Sequence, residues 1–205
     1  MYSFVKRFIS FFVALALFPF FIVLYLIIAI AIKIEDKGPI IFYAKRIGRN
    51  GQIFNMLKFR SMKVGAPDIR FEDGSTYNGE NDSRVTKVGK FIRKTSIDEI
   101  PQLINVLKGD MTFIGPRPDS AMWLSHYTDE EKVILQVRPG ITGYNQAVNR
   151  NSVSTKEKLK NDIFYVKHMS FFFDVKILLL TIKSVLTSKN IYRTEILDSE
   201  DTARK

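Results

Sequence analysis

The uncharged stretch FISFFVALALFPFFIVLYLIIAIAI, residues Phe8–Ile32, decides how the rest of this chain is organised. It contains 25 residues, and about 20 apolar residues in a helix are enough to cross the hydrocarbon core of a bilayer. The apolar part of a secretory signal peptide is only about 7–15 residues long, so a cleaved leader is disfavoured. The sequence therefore predicts a membrane helix that stays in the protein.

Pro19 lies near the centre of this stretch and raises the question of whether the helix crosses the membrane or dips into it. A break at this proline would leave halves of 11 and 13 residues, only about 16 and 20 Å long and too short to span. Basic residues on both flanks favour placing both ends on the same side. A kinked helix that spans the bilayer is the alternative, and composition leaves both open. The flanking residues are Lys6 and Arg7 before the stretch and Lys33 and Lys37 after it.

The remainder of the chain is strongly basic. Residues 33–205 carry 29 basic and 21 acidic side chains, and the whole chain of 205 residues has a net charge of +10. A basic body next to an apolar segment favours anionic lipid headgroups and phosphorylated substrates over nucleic acid as partners. No cysteine is present, which excludes disulfides, a thiolate nucleophile and cysteine-bound zinc, and a cytoplasmic active site is the simpler interpretation.

The basic body is predicted to be α+β and mainly helical. Two β-forming segments, Ile40–Tyr43 and Gln52–Phe59, lie on either side of an Asn-Gly pair, which is a strong hairpin signal. Residues 65–84 are rich in Gly, Asp, Asn and Ser and predict a long loop, and helices dominate from Val88 onward.

An amphipathic helix is predicted near the C-terminus, beginning at Asp174. Its apolar side either packs on the core or lies in the membrane interface, where lysines flank an apolar face. Three phenylalanines at 171–173 favour at least partial membrane contact. The apolar side comprises Val175, Leu178, Leu179, Ile182, Val185 and Leu186, and Lys176 and Lys183 lie on the other side.

Asp98 and Glu99 are the candidate chemical groups, in the sequence RKTSIDEIP at residues 93–101. The chain has no Walker loop and no G-x-G-x-x-G, H-E-x-x-H, G-x-S-x-G or D-x-D motif, so carboxylate chemistry among basic residues remains. One interpretation is structural: Ser96 and Glu99 fit a capping box at the start of a helix that Gly109 ends.

The other interpretation is catalytic. Free N–H groups at a helix start would hold Asp98 ionised, and Arg93 and Lys94 would lower its pKa further. A carboxylate in that state can attack phosphorus. Asp98 and Glu99 together also suit Mg²⁺, which takes one or two carboxylates alongside phosphate oxygens. These residues alone leave both interpretations open.

Two further elements present an arginine on a rigid backbone. Arg117 lies between two prolines in Gly115–Pro118, and Arg138 opens the segment Arg138–Gly143, which also contains a proline and two glycines. Arginine suits bidentate phosphate recognition. An exposed arginine on a rigid turn is the alternative for each, but these two elements together with the segment 93–101 indicate a phosphate site in a basic chain.

These blocks resemble, in order and spacing, those of the monotopic phosphoglycosyl transferases, also called bacterial sugar transferases or polyprenyl-phosphate hexose-1-phosphate transferases. The resemblance runs from the apolar head to about Leu186 and is to the small form that consists of the catalytic unit. Six blocks in the same order make the resemblance specific. They are KFRSM (58–62), DSRVTKVG (82–89), SIDEIPQL (96–103), GDM (109–111), GPRP (115–118) and RPGITG (138–143).

The resemblance implies a two-step mechanism. Asp98 attacks the β-phosphorus of a UDP-sugar and UMP leaves, after which the phosphate of undecaprenyl phosphate takes the sugar phosphate from Asp98. The product starts assembly of a glycoconjugate such as capsule, O-antigen or a glycoprotein glycan. Asp98 and Glu99 are implied to hold Mg²⁺. The residues implied to contact phosphate are Arg93 and Arg117, with Lys58 and Arg138 at basic positions of less defined role.

The resemblance also implies a reentrant helix, broken at Pro19, on the cytoplasmic face of the bacterial inner membrane. The chain then divides into a reentrant membrane helix at 1–34, a catalytic domain at 35–190 and a polar tail at 191–205. Two departures stand out. The break is Phe18-Pro19 where the small members have Ser-Pro, and Gly143 is followed by YNQAVNR where the family often has WAQVNGR.

Two other functions are compatible with the residues. A direct lipid-linked glycosyltransferase would release UDP instead of UMP, and a membrane-tethered basic adaptor would need neither Asp98 nor Glu99. The sequence leaves open which UDP-sugar is used, which pathway is served and whether the chain forms a homodimer.

Overall fold

A computed structural model describes residues 2–70, 77–79, 81–150 and 152–187 of the chain. Its first element, helix α1, runs from Tyr2 to Glu35 and contains Pro19. At about 1.5 Å per residue this helix is about 51 Å long, well beyond the roughly 30 Å core of a bilayer. Among the described residues it is the one helix long and apolar enough to cross a membrane.

The predicted division of this segment into two helices at Pro19 is wrong, because α1 continues through the proline. Proline removes only one backbone hydrogen bond. Phe18 and Phe21, on either side of it, pack in the same apolar cluster as Ala44 and Val106 of the body. Tertiary packing on both sides of the proline therefore supports one helix.

One stripe of α1 is buried against the body and the rest of its surface is exposed and apolar. Phe4, Phe20 and Ile34, for example, are 78%, 74% and 80% exposed. Apart from the adjacent pair Ile28 and Ala29, the buried positions are three, four or seven residues apart, which is the spacing of a single helix face. They are Lys6, Ser10, Ala14, Phe21, Ile28, Ala29 and Ile32.

The predicted hairpin is confirmed. Strand β1 (Ile41–Ile47) pairs antiparallel with β2 (Ile53–Phe59), and Ile47 lies opposite Ile53 at the closed end. The turn between them requires positive φ at Asn50 (56°) and Gly51 (75°), which asparagine and glycine tolerate best.

Three helical segments follow: α2 (Lys87–Lys94), a short 3₁₀ turn (Ile97–Glu99) and α3 (Gln102–Lys108). The predicted helix start at Thr95–Glu99 is wrong, since Ser96 adopts a left-handed conformation with φ 59° that separates α2 from the 3₁₀ turn. The predicted stop is confirmed: Gly109 ends α3 with φ 95° and donates its N–H to the carbonyl of Asn105.

A second, parallel strand pair joins the two arginine-containing segments. Strand β3 (Thr112–Ile114) precedes Gly115 and pairs with β4 (Gly140–Thr142). The backbones approach closely here: the Gly115 N–H donates to the carbonyl of Thr142 at 2.8 Å. A Cβ at Gly143 would lie 2.1 Å from the carbonyl oxygen of Gly115, so only glycine fits.

Three helices complete the body: α4 (Tyr144–Val148), α5 (Thr155–His168) and α6 (Phe171–Thr187). Helix α6 buries Asp174 and Ile177 but exposes most of the apolar side named above, including Leu178 (45%) and Leu179 (63%), whereas Val185 is half-buried. The alternative in which that side packs on the core is therefore wrong. The predicted tail at 191–205 lies outside the described residues, as do residues 71–76 and 80 of the predicted loop.

Candidate active site

Asp98 lies on the 3₁₀ turn between α2 and α3 and is only 9% exposed. The nearest cation is Lys58 of β2, whose Nζ is 4.0 Å from Oδ2 of Asp98. Among the described residues, no hydrogen-bond donor contacts the Asp98 carboxylate. The carboxylate is thus shielded from bulk water and still has its lone pairs available to an incoming group.

Burial raises the pKa of Asp98 to about 6. The positive charges of Lys58, Arg93 and Arg117 oppose this increase, and the negative charge of Glu99 adds to it. The predicted lowering of this pKa by a helix start is therefore wrong, because no α-helix begins at Asp98 and burial is the larger effect. The positive charge of Arg93 does lower the pKa of Asp98, as predicted, but by less than burial raises it.

Glu99 is held in place by two cations. Arg117 donates from Nη1 to Oε2 at 3.0 Å and from Nη2 to Oε1, and Lys58 Nζ donates to Oε1 at 2.7 Å. Burial alone would raise the pKa of Glu99, but Arg117 and Lys58 outweigh it and hold the pKa well below its usual range. The predicted capping box is wrong, since Ser96 makes no capping bond and Glu99 points to these cations.

The segment that carries Arg117 is fixed from behind by α5. Lys158 Nζ donates to the Arg117 carbonyl at 3.1 Å and to the two carboxylate oxygens of Asp119 at 2.7 and 2.6 Å. Lys158 also forms an ion pair with Asp162 at 3.2 Å. Because Pro116 and Pro118 restrict the backbone as well, the Arg117 guanidinium loses little freedom on binding a ligand.

Arg93 completes the group of predicted residues that the fold brings together. It lies in the last turn of α2, and its Nε donates to the Ser61 hydroxyl at 2.8 Å. Its charge lowers the pKa of Asp98, which it can do only from nearby. Lys58, Arg93 and Arg117 thus surround Asp98 and Glu99 from three different elements.

Arg138 lies elsewhere. Its Nε donates to the carbonyl of Gly109 at 2.9 Å, at the C-terminal end of α3, whereas Asp98 and Glu99 precede the N-terminal end of that helix. It lines a small cavity with Ser3 and Lys6 at the start of α1. The fold does not bring Arg138 to the carboxylate pair, and its contact with phosphate stays a prediction.

Arg150 is a residue near the site that was not predicted from the sequence. Its Nη2 donates to the Ser96 hydroxyl at 3.1 Å and its Nη1 to the Ser184 carbonyl at 3.4 Å. Glu99 and Arg117 both influence its pKa, which burial lowers. The signal was the arginine that ends the family's segment after Gly143, a position shared by this chain despite its altered sequence.

The family profile described as "Bacterial sugar transferase" matches residues 1–188 of this sequence. The chain belongs to the bacterial sugar transferase family. This extent covers the membrane helix, the carboxylate pair and every arginine discussed above.

Several curated relatives are similar over most of the chain. A galactosyl transferase, CpsE, of Streptococcus agalactiae is 46% identical over 74% of this chain and 36% of its own. A UDP-N-acetylgalactosamine-undecaprenyl-phosphate N-acetylgalactosaminephosphotransferase of Aeromonas hydrophila is 38% identical over 91% of this chain and 44% of its own. An uncharacterized sugar transferase, EpsL, of Bacillus subtilis is 42% identical over 87% and 85%. The chain thus spans less than half of the first two relatives and most of the third.

The carboxylate pair of this sugar transferase fits a Mg²⁺ ion with phosphate co-ligands. Asp98 offers both oxygens, and Glu99 has used three of its roughly four lone-pair sites on Arg117 and Lys58, which leaves one on Oε2. No cluster of three or more His, Cys, Asp or Glu side chains occurs in the described part of the chain. The donor set therefore suits a cation that keeps water or phosphate oxygens.

Proposed function

We propose that this protein transfers a sugar-1-phosphate from a UDP-sugar to undecaprenyl phosphate, with Asp98 as the covalent nucleophile. The observation that carries the proposal is the contrast within the carboxylate pair. Glu99 is tied by Arg117 and Lys58, while Asp98 beside it is buried and accepts no hydrogen bond among the described residues. Curated relatives support the substrate class, since one is named an undecaprenyl-phosphate galactose phosphotransferase.

In the first step, an ionised oxygen of Asp98 forms a bond to the β-phosphorus of the UDP-sugar. The bond between that phosphorus and the bridging oxygen breaks, and UMP leaves with the bridging oxygen and the bonding electrons. In the second step, a phosphate oxygen of undecaprenyl phosphate attacks the same phosphorus and Asp98 leaves as a carboxylate. The two displacements give undecaprenyl diphosphate sugar and regenerate the enzyme.

The basic residues around Asp98 supply the charge that these displacements need. Arg93, Arg117 and Lys58 approach the pair from α2, from the segment after β3 and from β2, so they can contact different oxygens of a diphosphate. Mg²⁺, held by Asp98 and Glu99, would neutralise phosphate charge when bound. Burial excludes water from the Asp98 carboxylate and so limits hydrolysis of the covalent intermediate.

Both ends of α1 are bound to the body, which supports a helix that bends at Pro19 within its continuous length and so enters and leaves the membrane on one side. At its start, Lys6 pairs with Asp174 at 2.7 Å and Arg7 donates to the carbonyl of Leu107 at 3.0 Å. At its end, Glu35 accepts the N–H groups of Lys87 and Val88 at 2.6 and 2.8 Å. A single body that holds both ends favours monotopic attachment on the cytoplasmic face of the inner membrane.

The exposed apolar side of α6 extends the proposed membrane contact to the catalytic domain. Phe172 and Leu186, near its two ends, are 83% and 79% exposed. Burying a leucine or phenylalanine side chain in lipid contributes about 1.5–3 kcal/mol, so several such residues together favour contact of this side with the membrane. A body attached in this way lies at the depth of the acceptor's phosphate.

The experiment is a product assay on purified full-length protein with a panel of UDP-sugars and Mg²⁺. We expect UMP release with one of them in the absence of lipid, and a sugar-phosphate mass adduct on Asp98. Asp98→Asn should form neither, while folding as the parent does. Normal turnover by Asp98→Asn would eliminate the covalent route, release of UDP would identify a direct glycosyltransferase, and steep salt-dependent lipid binding without any turnover would indicate an adaptor.

A further inference from the structure

Arg46 lies near the end of β1, and its guanidinium has no partner among the described residues. Among the described residues it makes no hydrogen bond and no ion pair, and its Nε is fully buried. Its Nη nitrogens are likewise unbonded but are not fully buried, so they remain open to solvent. A guanidinium has five donors, and a buried one left unpaired costs free energy that a bound anion would recover.

The position of Arg46 is set by the segment that carries Arg117. The backbone of Arg46 bridges to Ser120, and the next residue, Ile47, donates its N–H to the Asp119 carbonyl at 3.0 Å. Arg46 and Arg117 therefore lie on two backbone segments that are hydrogen-bonded side by side. Burial lowers the pKa of Arg46, and the positive charge of Arg117 lowers it further, as expected for two guanidinium groups close together.

The carboxylates near Arg46 are already occupied by other cations. Asp119 accepts hydrogen bonds on both oxygens from Lys158 and one from the hydroxyl of Tyr127 at 2.7 Å. Glu99 is paired with Arg117 and Lys58. Arg117 keeps both Nη contacts with Glu99, so the free donors of Arg46 beside it form a subsite for a further anionic group.

The side of the fold on which Arg46 lies indicates which substrate reaches it. The backbone of Arg46 bridges to Ser120, on the segment that carries Arg117. The charged groups that influence the pKa of its guanidinium are Arg117, Asp119, Arg70 and Glu99, and none of them lies in α1. Arg46 therefore lies among residues of the body and away from the membrane helix, on the side from which a water-soluble substrate arrives.

We propose that Arg46 is a further phosphate-binding residue, which contacts the diphosphate of the nucleotide donor next to Arg117. This inference rests on the proposed function, because it assigns one of the two substrates to this subsite. It separates the roles of the basic residues: Lys58 and Arg93 lie close to Asp98, where the sugar phosphate is transferred, and Arg46, beside the Arg117 segment, is assigned to the nucleotide side of the diphosphate.

The test compares Arg46→Gln and Arg46→Lys with Lys45→Gln in full-length protein. Lys45 is an exposed neighbour whose side chain points to the opposite face of the strand, so it is the matched control for loss of one positive charge. UDP binding is measured by calorimetry, and KM is measured for the UDP-sugar and for undecaprenyl phosphate. Thermal unfolding checks that each variant folds.

We expect Arg46→Gln to weaken UDP binding and to raise the donor KM by about tenfold or more, as for loss of a charge-assisted contact. The acceptor KM should stay unchanged, Lys45→Gln should behave as the parent, and Arg46→Lys should recover part of the loss. Equal UDP affinity in Arg46→Gln and the parent, or an increase confined to the acceptor KM, would overturn the inference. Failure of the parent to release UMP from any UDP-sugar would instead reject the proposed function.

Discussion

Replacing Lys58 with methionine should raise the pKa of Asp98, because it removes the nearest positive charge. The Lys58 Nζ lies 4.0 Å from Oδ2 of Asp98. At that distance two unit charges interact by about 1 kcal/mol in water and about 4 kcal/mol at an effective dielectric constant of 20. One pKa unit corresponds to about 1.4 kcal/mol, so the change amounts to about 1–3 units above the parent value of about 6.

The assay is carbon-13 NMR of full-length protein labelled in its aspartate carboxyl groups, in buffer with a chelator so that no cation competes. Asp98→Asn identifies the Asp98 signal by its disappearance. Asp162 also has a pKa of about 6, so the midpoint is read only from the signal that Asp98→Asn removes. Glu99 stays ionised throughout, because Arg117 still pairs with it in the variant. Lys58→Arg should restore the parent midpoint.

Two results would refute this reasoning. A midpoint for Asp98 below pH 4 in the parent would mean that burial does not dominate at this carboxylate. A midpoint that shifts by less than about half a unit in Lys58→Met would mean that Lys58 does not influence Asp98 through its charge.

Three further predictions concern the scaffold. Glu35→Ala removes the acceptor for two N–H groups of α2. Because Glu35 is exposed, we expect the free energy of unfolding to fall by only about 0.5–1 kcal/mol, which lowers the melting temperature by about 1–3 °C. Glu130→Ala, which removes another exposed carboxylate, should leave the melting temperature unchanged. Burial raises the pKa of Asp162 to about 6, although the charge of Lys158 opposes this. Asp162 therefore binds a proton on folding between about pH 4 and 6, and its contribution to the free energy of unfolding falls by about 3 kcal/mol as the pH rises through that range. Asp162→Asn should abolish this pH dependence, and an identical pH profile of unfolding in both proteins would contradict the prediction. The chain has no native cysteine, so a spin label can be attached at Leu179→Cys or at Lys183→Cys alone. In lipid nanodiscs the label at 179 should be accessible to oxygen and protected from a water-soluble nickel complex, and the label at 183 should show the opposite preference. Equal exposure to nickel at both sites would exclude membrane contact by the apolar side of α6.

Local signals were sufficient to predict several elements. The turn between β1 and β2 requires positive φ at two successive residues, and few pairs other than Asn-Gly adopt that conformation readily. Gly109 was predicted to end α3 for the same reason. The apolar periodicity of α6 located the helix, but it did not reveal which side faced the core, because Asp174, a charged residue, lies on the buried side.

The carboxylate pair shows where local reasoning fails. Ser96, Asp98 and Glu99 have the composition of a helix start, and the capping and dipole arguments followed from that composition alone. A left-handed Ser96 and the ion pairs of Glu99 replaced the expected helix start. Those contacts come from residues 41 positions before Glu99 and 18 positions after it, beyond the reach of any short-range pattern.

By itself the sequence determined that the protein has an apolar helix attached to a basic α+β body, and which family its ordered motifs resemble. These properties depend on composition, spacing and backbone conformation, which act over a few residues. Only the tertiary structure decided that α1 continues through Pro19, that Arg138 lies away from the carboxylates, and that Asp98 is a buried acid with a raised pKa. Each of these depends on desolvation and on charges brought together from distant segments, and both effects exist only after the chain has folded.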